Sequence, residues 1–190
     1  MRRVLLLLII IGFATSADCQ ARDGIRVRPM KSDKYGAIAG HMIAPGGIST
    51  LAIFRYGKPH AKPYTKSAFA HMDAHGNFIV ENLGPGDYFI AYFRNGPGNS
   101  NFNRIGTNRE SIKETLVTVK ADKISYIGSF EVNNVKRGFF RGSFDFYRVD
   151  TPTEKEVLKS LLTEITMKGW DRLIRERLTE IDDVKTTASH

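Results

Sequence analysis

Residues 64–95 read YTKSAFAHMDAHGNFIVENLGPGDYFIAYFRN, a run of short extended segments separated by turn signals. Thr65, Ser67 and Phe69 lead into Met72-Asp73-Ala74-His75-Gly76, where the Asp side chain can accept backbone N–H groups and the glycine can take positive φ. Phe78 and Val80 then share one face. Leu83-Gly84-Pro85-Gly86 breaks the ladder, after which Tyr88, Ile90 and Tyr92 alternate with Phe89, Ala91 and Phe93. A period of two bounded by Gly, Pro and Asp is a β-domain signature, and it assembles no catalytic group.

Outward from this block the same period continues. Gly36 to Ala44, GAIAGHMIA, gives a first strand ended by Pro45-Gly46-Gly47, and Thr50 to Tyr56, TLAIFRY, a second with apolar residues on both faces. Pro59 and Pro63 fix φ and lack donors, so Gly57 to Pro63 reads as an exposed basic loop. Asn95 to Ser111, rich in Asn and Gly and without a period, is expected to be a long surface loop folded back by Phe102 and Ile105. Thr115 to Val119 and Ile124 to Val132 flank the polar turn Ala121-Asp122-Lys123 and read as a hairpin. Phe139 to Val149 adds a strand whose more apolar face carries Phe140, Phe144 and Phe146. Seven or eight short strands over residues 36–150 suit a two-sheet sandwich.

The period changes at Thr151-Pro152-Thr153-Glu154. Thr151 is placed to cap a helix, with Pro152 at the first helical position and Glu154 completing a capping box. Leu158, Leu161, Leu162 and Ile165 form one stripe with Val157 beside it. Lys168-Gly169 breaks the run, and Trp170, Leu173, Ile174, Leu178 and Ile181 form a second stripe. The two do not make a continuous heptad, so residues 151–184 are expected to be a helical segment packed on the sandwich, with Trp170 anchoring helix to sheet.

With 190 residues the chain can bury a substantial core. Its start, MRRVLLLLIIIGFATSA, has two arginines, an apolar run from Val4 to Ile11 and small residues at the end. This is the layout of a secretory signal peptide over residues 1–21, and the run is too short for a membrane helix. Cys19, the one cysteine, is either removed with this leader or carries lipid, as in a bacterial lipoprotein; Asp18 departs from the small residue that the lipoprotein pattern places there. Residues 22–35 form a basic arm in which Ile25 and Val27 are able to pair at a sheet edge. The formal net charge of +8 is uneven. Residues 22–150 carry 19 basic and 11 acidic side chains, residues 151–190 only 7 and 8, so the β-region suits an anionic envelope surface. Export, with no dense Arg/Lys run and no aromatic RNA-binding motif, argues against nucleic acid.

The stretch SAFAHMDAHGNFIVENLGPGDY resembles the T-x-x-D-x-x-G-x-F…N-L-x-P-G-x-Y signature of carboxypeptidase-regulatory-like domains, whose fold is similar to transthyretin. Asp73, Gly76, Phe78, Leu83, Pro85, Gly86 and Tyr88 carry the match, which covers roughly Gly36 to Phe93. Phe69 or Ala70 stands where the family has Thr. VTVKADKISYIGSFEV is similar instead to the second hairpin of small bacterial envelope lipoproteins. The resemblance implies a prealbumin-like arrangement for the strands counted above, so the expected fold is mainly β, a seven- to eight-stranded prealbumin-like antiparallel β-sandwich, with the C-terminal helical segment read from its own pattern. It also implies an accessory, adhesive or envelope module without catalysis or cofactor.

The expected function is therefore a non-enzymatic exported module, periplasmic or associated with the outer membrane, whose partner is an envelope protein or a surface glycan. Arg55, Tyr56, His60, Tyr64, Arg94, Phe102 and Arg104 are the candidate interaction surface, because aromatic faces stack on sugars or peptides and guanidinium groups donate to them. The alternative is a small periplasmic metal-binding protein or metal-dependent hydrolase. On a continuous strand His71, Asp73 and His75 would share a face, and two imidazoles with a carboxylate can ligate zinc. Asp73 to Gly76 is also the turn, where Asp73 is needed as a cap. No serine lies in G-x-S-x-G and Cys19 belongs to no C-x-x-C pair.

Overall fold

The computed structural model describes residues 25–57, 68–96, 103–105, 109–136, 143–165 and 169–187. Among them the elements run β1 (Gly36–Ile43), β2 (Ile48–Arg55), β3 (Ala68–Phe69), β4 (His71–Met72), β5 (Asn77–Leu83), β6 (Gly86–Asn95), β7 (Asn103–Arg104), α1 (Arg109–Glu114), β8 (Val117–Val119), β9 (Ile124–Lys136), β10 (Ser143–Val149), α2 (Glu154–Glu164) and α3 (Trp170–Thr187). The strands make two five-stranded sheets. The first has the order β10-β9-β1-β5-β4; the second has the order β3-β2-β6-β7, with β8 also on β6. The chain is thus mainly β with C-terminal helices. Three of its ten described strands are only two residues long, which is below what a period can reveal.

Alternation places one face of each sheet in a shared core. Ile38, Met42, Phe78, Val80 and Phe130 of the first sheet meet Leu51, Ile53, Ile90 and Phe93 of the second in one buried cluster. Each such side chain contributes about 1.5–3 kcal/mol by leaving water. The parity expected for β6 fails after Ile90. Ala52 pairs with Tyr92 but Ile53 pairs with Ile90, so Ala91 is an extra residue and the strand carries a bulge. Tyr88, Ile90 and Phe93 therefore face the core, and Tyr92 is turned to the outer face.

A second apolar layer lies on the outside of the first sheet. Ala37, Ala39, Ile79 and Ile124 are covered by Val157, Leu158 and Leu161 of α2 and by Trp170, Leu173 and Ile174 of α3. Small residues in β1 permit this approach and the neighbouring turn's: a Cβ on Gly36 would stand 2.2 Å from the Lys120 carbonyl oxygen. The centres of both expected stripes are buried here, with Leu162, Leu178 and Ile181 partly buried at the margin, and Gly169, at φ 106, lies between the helices. The cap is shifted by two residues. Thr153 caps α2 and forms the capping box with Glu156, while Pro152 stays in the connection and accepts hydroxyl protons from Ser129 and Tyr126 at 2.5 and 3.2 Å. Glu154, freed from the cap, is clamped by Arg177 of α3 at 2.7 and 3.2 Å.

Two further expectations are corrected. Among the described residues Ile25 and Val27 pair with no strand; both are buried under the helices, where Trp170 Nε1 donates to the Arg28 carbonyl at 2.8 Å. The segments β8 and β9 are not a hairpin either. β8 pairs with β6 in the second sheet, whereas β9 runs parallel to β1 in the first, so this sandwich-like arrangement is not purely antiparallel. The turn between them is held by the start of β1 rather than by a partner strand: Ala37 N donates to Lys123 O at 3.0 Å, and Asp122 N to Tyr35 O at 3.0 Å.

The stretch read as one long loop contains β7 and the beginning of α1, with Ile105 buried as expected. Together β7, α1 and β8 fill one edge of β6. In the gap between the two short strands, Ile105 N donates to Ala91 O at 2.9 Å and Thr115 Oγ1 accepts from Ile90 N at 3.2 Å, so a side chain replaces a missing ladder bond.

Candidate functional site

The face of the second sheet that points away from the core carries a transverse row set by register. Phe69 of β3 pairs with Ala52 of β2, Ala52 with Tyr92 of β6, and Tyr92 with Arg104 of β7, so the four side chains share a face. One row along, Phe54 pairs with Phe89. Phe54 packs edge-on against Phe89 and Tyr92 with ring centroids 6.3 and 5.4 Å apart, Tyr56 packs edge-on against Phe89 at 6.4 Å, and Arg104 lies over the Tyr92 ring at 5.7 Å. Phe89 and Ala52 are each 3% exposed, whereas Tyr56 is 49% and Phe69 48% exposed at the margins. The bulge at Ala91 creates this face by turning Tyr92 outward.

Of the residues expected to form an interaction surface, Tyr56, Arg94 and Arg104 stand on this face, with Arg94 opposite Thr50. Arg55 points the other way. Its Nη2 donates to the Pro85 carbonyl at 2.5 Å and its guanidinium covers the Tyr88 ring at 5.9 Å, filling the space that a Cβ on Gly86 would take. Tyr88 OH closes the same turn by donating to Gly84 O at 2.8 Å, which makes L-G-P-G-D-Y a structural corner. His60, Tyr64, Phe102 and Cys19 lie outside the described residues. Phe54 and Phe69 were missed as surface residues, although Phe54 shares its strand parity with the exposed Tyr56.

The residues proposed for metal do not converge. Asp73 Oδ1 accepts from the backbone of His75 and Asn77 at 2.8 and 2.9 Å, and Oδ2 accepts from Asn77 Nδ2 and Ser160 Oγ at 2.7 and 3.3 Å. His71 turns away to Glu81, with Nε2 3.2 Å from Oε1. Among the described residues no group of three His, Cys, Asp or Glu side chains could hold a metal ion. Asp73 instead anchors a buried polar row on the outer face of the first sheet. Asn77 also donates to Ser160 of α2 at 3.0 Å, and its Oδ1 accepts from His41 Nδ1 at 3.1 Å, which fixes the protonated nitrogen of that imidazole.

Two titratable groups on the outer face of the first sheet, His41 and Glu81, are perturbed. Burial pushes the His41 imidazole below its ordinary value, outweighing the bond to Asn77 and the charge of Asp73. For Glu81 burial pushes the carboxyl up, but Arg28 Nε at 2.8 Å, its own backbone N–H and His71 together hold it below the usual range. The two act in different windows. A lowered folded-state value at His41 means the unfolded chain binds more protons below about pH 6.5, so stability falls as pH drops from there. Glu81 adds its own loss only below about pH 4.5. Between about pH 6.5 and 5 the urea midpoint of the wild type is expected to fall more steeply than that of His41→Gln; parallel pH profiles would remove His41 as the cause.

No family model matches the chain, and no curated protein does. Among solved structures, a DUF3823 family protein from Bacteroides ovatus is similar at 20% identity and a TM-score of 0.29, over 62% of this chain and 59% of that one. The major pilin subunit of Bacillus cereus is similar at 15% identity and a TM-score of 0.22, over 59% of this chain and 26% of that one. The chain thus matches less than two thirds of either structure. Among the described residues no helix is long and apolar enough to cross a membrane.

Proposed function

We propose that this chain is an exported, non-enzymatic envelope module that engages an envelope protein or a surface glycan through the outer face of its second sheet. One observation carries this reading: Tyr56 and Phe69, about half exposed, flank a register-aligned row of aromatic rings capped by Arg104, on a face turned away from both the core and the helices. Aromatic faces offer large contact area at small entropic cost, and a guanidinium adds planar donors. The prealbumin-like identity belongs to the same reading. It draws on the Asp73 turn and the Tyr88 corner, both of which fall on the residues that carry the resemblance. Export through the leader, with Cys19 either removed or carrying lipid, completes it and assigns the module to the periplasm or the outer membrane. The metal-dependent alternative is weakened by the separate engagements of His71 and Asp73.

The test is capture of purified cell-envelope polysaccharide and of envelope protein by the folded chain and by the double variant Tyr56→Ser, Phe69→Ser. Both side chains are substantially exposed, so the variant is expected to keep its thermal midpoint within a few degrees. Loss of capture by about tenfold or more is the expected result, and undiminished capture by the variant would remove this face from the function.

A further inference from the structure

The outermost strand of a sheet carries backbone groups with no ladder partner, and natural proteins shorten, bend or charge such strands to keep them from pairing. Most margins of this fold follow that rule. β4 closes one side of the first sheet and β3 one side of the second with two residues each, and β7 and β8 share the other side of the second with two and three. β10 is the exception. It runs for seven residues, Ser143–Val149, with β9 on one side and no strand on the other among the described residues. Its sequence, SFDFYRV, contains neither proline nor lysine. Where its pairing with β9 changes register, residues 133–136 of β9 stand against residues 143–145, so the extra residue lies on β9 and β10 itself is unbroken.

The side chains of β10 suit a strand on that open side. Phe144 and Phe146 face the core, each with its ring centroid 5.1 Å from that of Phe93 or Phe130, yet both are only partly buried. On the other face Asn134 donates to Asp145 Oδ2 at 2.6 Å and Asn133 donates to the Tyr147 hydroxyl. Asp145 Oδ1 and the Tyr147 hydroxyl proton are thus unspent among the described residues. A two-fold axis normal to the sheet sets each residue of one copy opposite a residue of the same face in the other. Centred on Phe146, it pairs all seven residues: Phe146 with itself, Tyr147 with Asp145, Arg148 with Phe144 and Val149 with Ser143. Each unspent hydroxyl proton then stands opposite an unspent carboxylate oxygen. Phe144 meets the stem of Arg148, whose guanidinium is held by Glu114 O and Ile127 O at 2.8 and 3.0 Å. Moving the centre to Asp145 sets that carboxylate against itself, and moving it to Tyr147 leaves Ser143 and Phe144 unpaired.

We infer that β10 joins a second copy of this chain by antiparallel edge-to-edge pairing about Phe146, extending the first sheet across a two-fold dimer without using the aromatic face of the second sheet. The experiment is sedimentation equilibrium of the folded chain over a range of concentrations, with amide hydrogen exchange at both ends of that range. A reversible dimer is expected, with the β10 amides exchanging more slowly where the dimer predominates. Two variants at exposed positions of the outer face test the register, each checked for an unchanged fold by circular dichroism. Asp145→Lys combined with Tyr147→Lys sets lysine opposite lysine and should weaken the dimer by about tenfold or more. Tyr147→Lys alone sets lysine opposite Asp145 and should retain the dimer, which separates charge repulsion from loss of the tyrosine. A monomer at every concentration, a dimer that the double variant leaves intact, or equal dissociation of both variants would overturn the inference.

Discussion

Trp170→Ala is expected to lower the unfolding free energy by about 3–5 kcal/mol, the cost of a large cavity at a fully buried aromatic. Trp170 is completely inaccessible and sits where α3, the outer face of the first sheet and the segment from Ile25 to Met30 meet. Its loss also leaves the Arg28 carbonyl without the indole donor. The consequences therefore extend to the arm that precedes β1, because Ile25 and Val27 lose the surface they pack on. Urea denaturation with amide exchange at residues 25–30 measures both effects. The expected result is a large drop in midpoint with exchange of the arm much faster than that of β5. Trp170→Phe keeps most of the burial but loses the hydrogen bond and part of the ring, so it should cost less than alanine, about 1–3 kcal/mol. An alanine variant as stable as wild type would mean that the helices do not cover the sheet as described.

Asp73→Ala has the second largest expected effect, about 3 kcal/mol. The carboxylate accepts from two backbone N–H groups and from the side chains of Asn77 and Ser160. Asn77 is 5% exposed and also holds His41, so removing Asp73 leaves buried donors without acceptors and loosens α2 from β5. Asp73→Asn keeps one acceptor oxygen and turns a donor toward the Asn77 amide, so an intermediate loss is expected. This substitution also separates the two readings of the turn. As a structural cap, Asp73 should give the same thermal midpoint with and without added zinc. A zinc-dependent rise that Asp73→Ala abolishes would favour the metal-binding alternative.

The core was legible wherever the period of two ran unbroken. Ile38, Phe78 and Val80 fall on the face their alternation assigns, and the centres of the apolar stripes of α2 and α3 are buried as their spacing requires. Legibility ended at features decided by a single residue or by a distant partner. One inserted residue, Ala91, exchanges the faces of Tyr92 and Phe93, and nothing in the local pattern marks where a bulge falls. In TPTEKE two capping boxes overlap, Thr151 with Glu154 and Thr153 with Glu156, and the second wins because Pro152 is held by Ser129 and Tyr126 from β9 and Glu154 by Arg177 from α3. The turn at Asp122 reads locally as a hairpin, yet its hydrogen bonds go to Tyr35 and Ala37, more than 80 residues away.

The candidate site divides along the same line. Tyr56 could be read as a surface residue because its strand runs into a polar turn, and Arg104 because it falls in the Asn- and Gly-rich stretch read as a surface loop. Arg55 could not be distinguished from them, since only the folded turn reveals Pro85 O and the Tyr88 ring as its partners. The apolar residues on both faces of β2 already signalled that the second sheet carries a packed outer layer, but the pairing of Phe69 with Ala52 and of Tyr92 with Arg104 depends on register between strands that sequence does not connect.

The most direct test of the interaction face is hydrogen–deuterium exchange of the folded chain alone and bound to the envelope component that it captures. Added protection concentrated in β2, β3 and β7, with α2, α3 and β10 unchanged, is the expected result. Protection confined to the helices or to the β10 edge, with β2 and β3 exchanging as in the free chain, would contradict it and move the partner to another side of the fold.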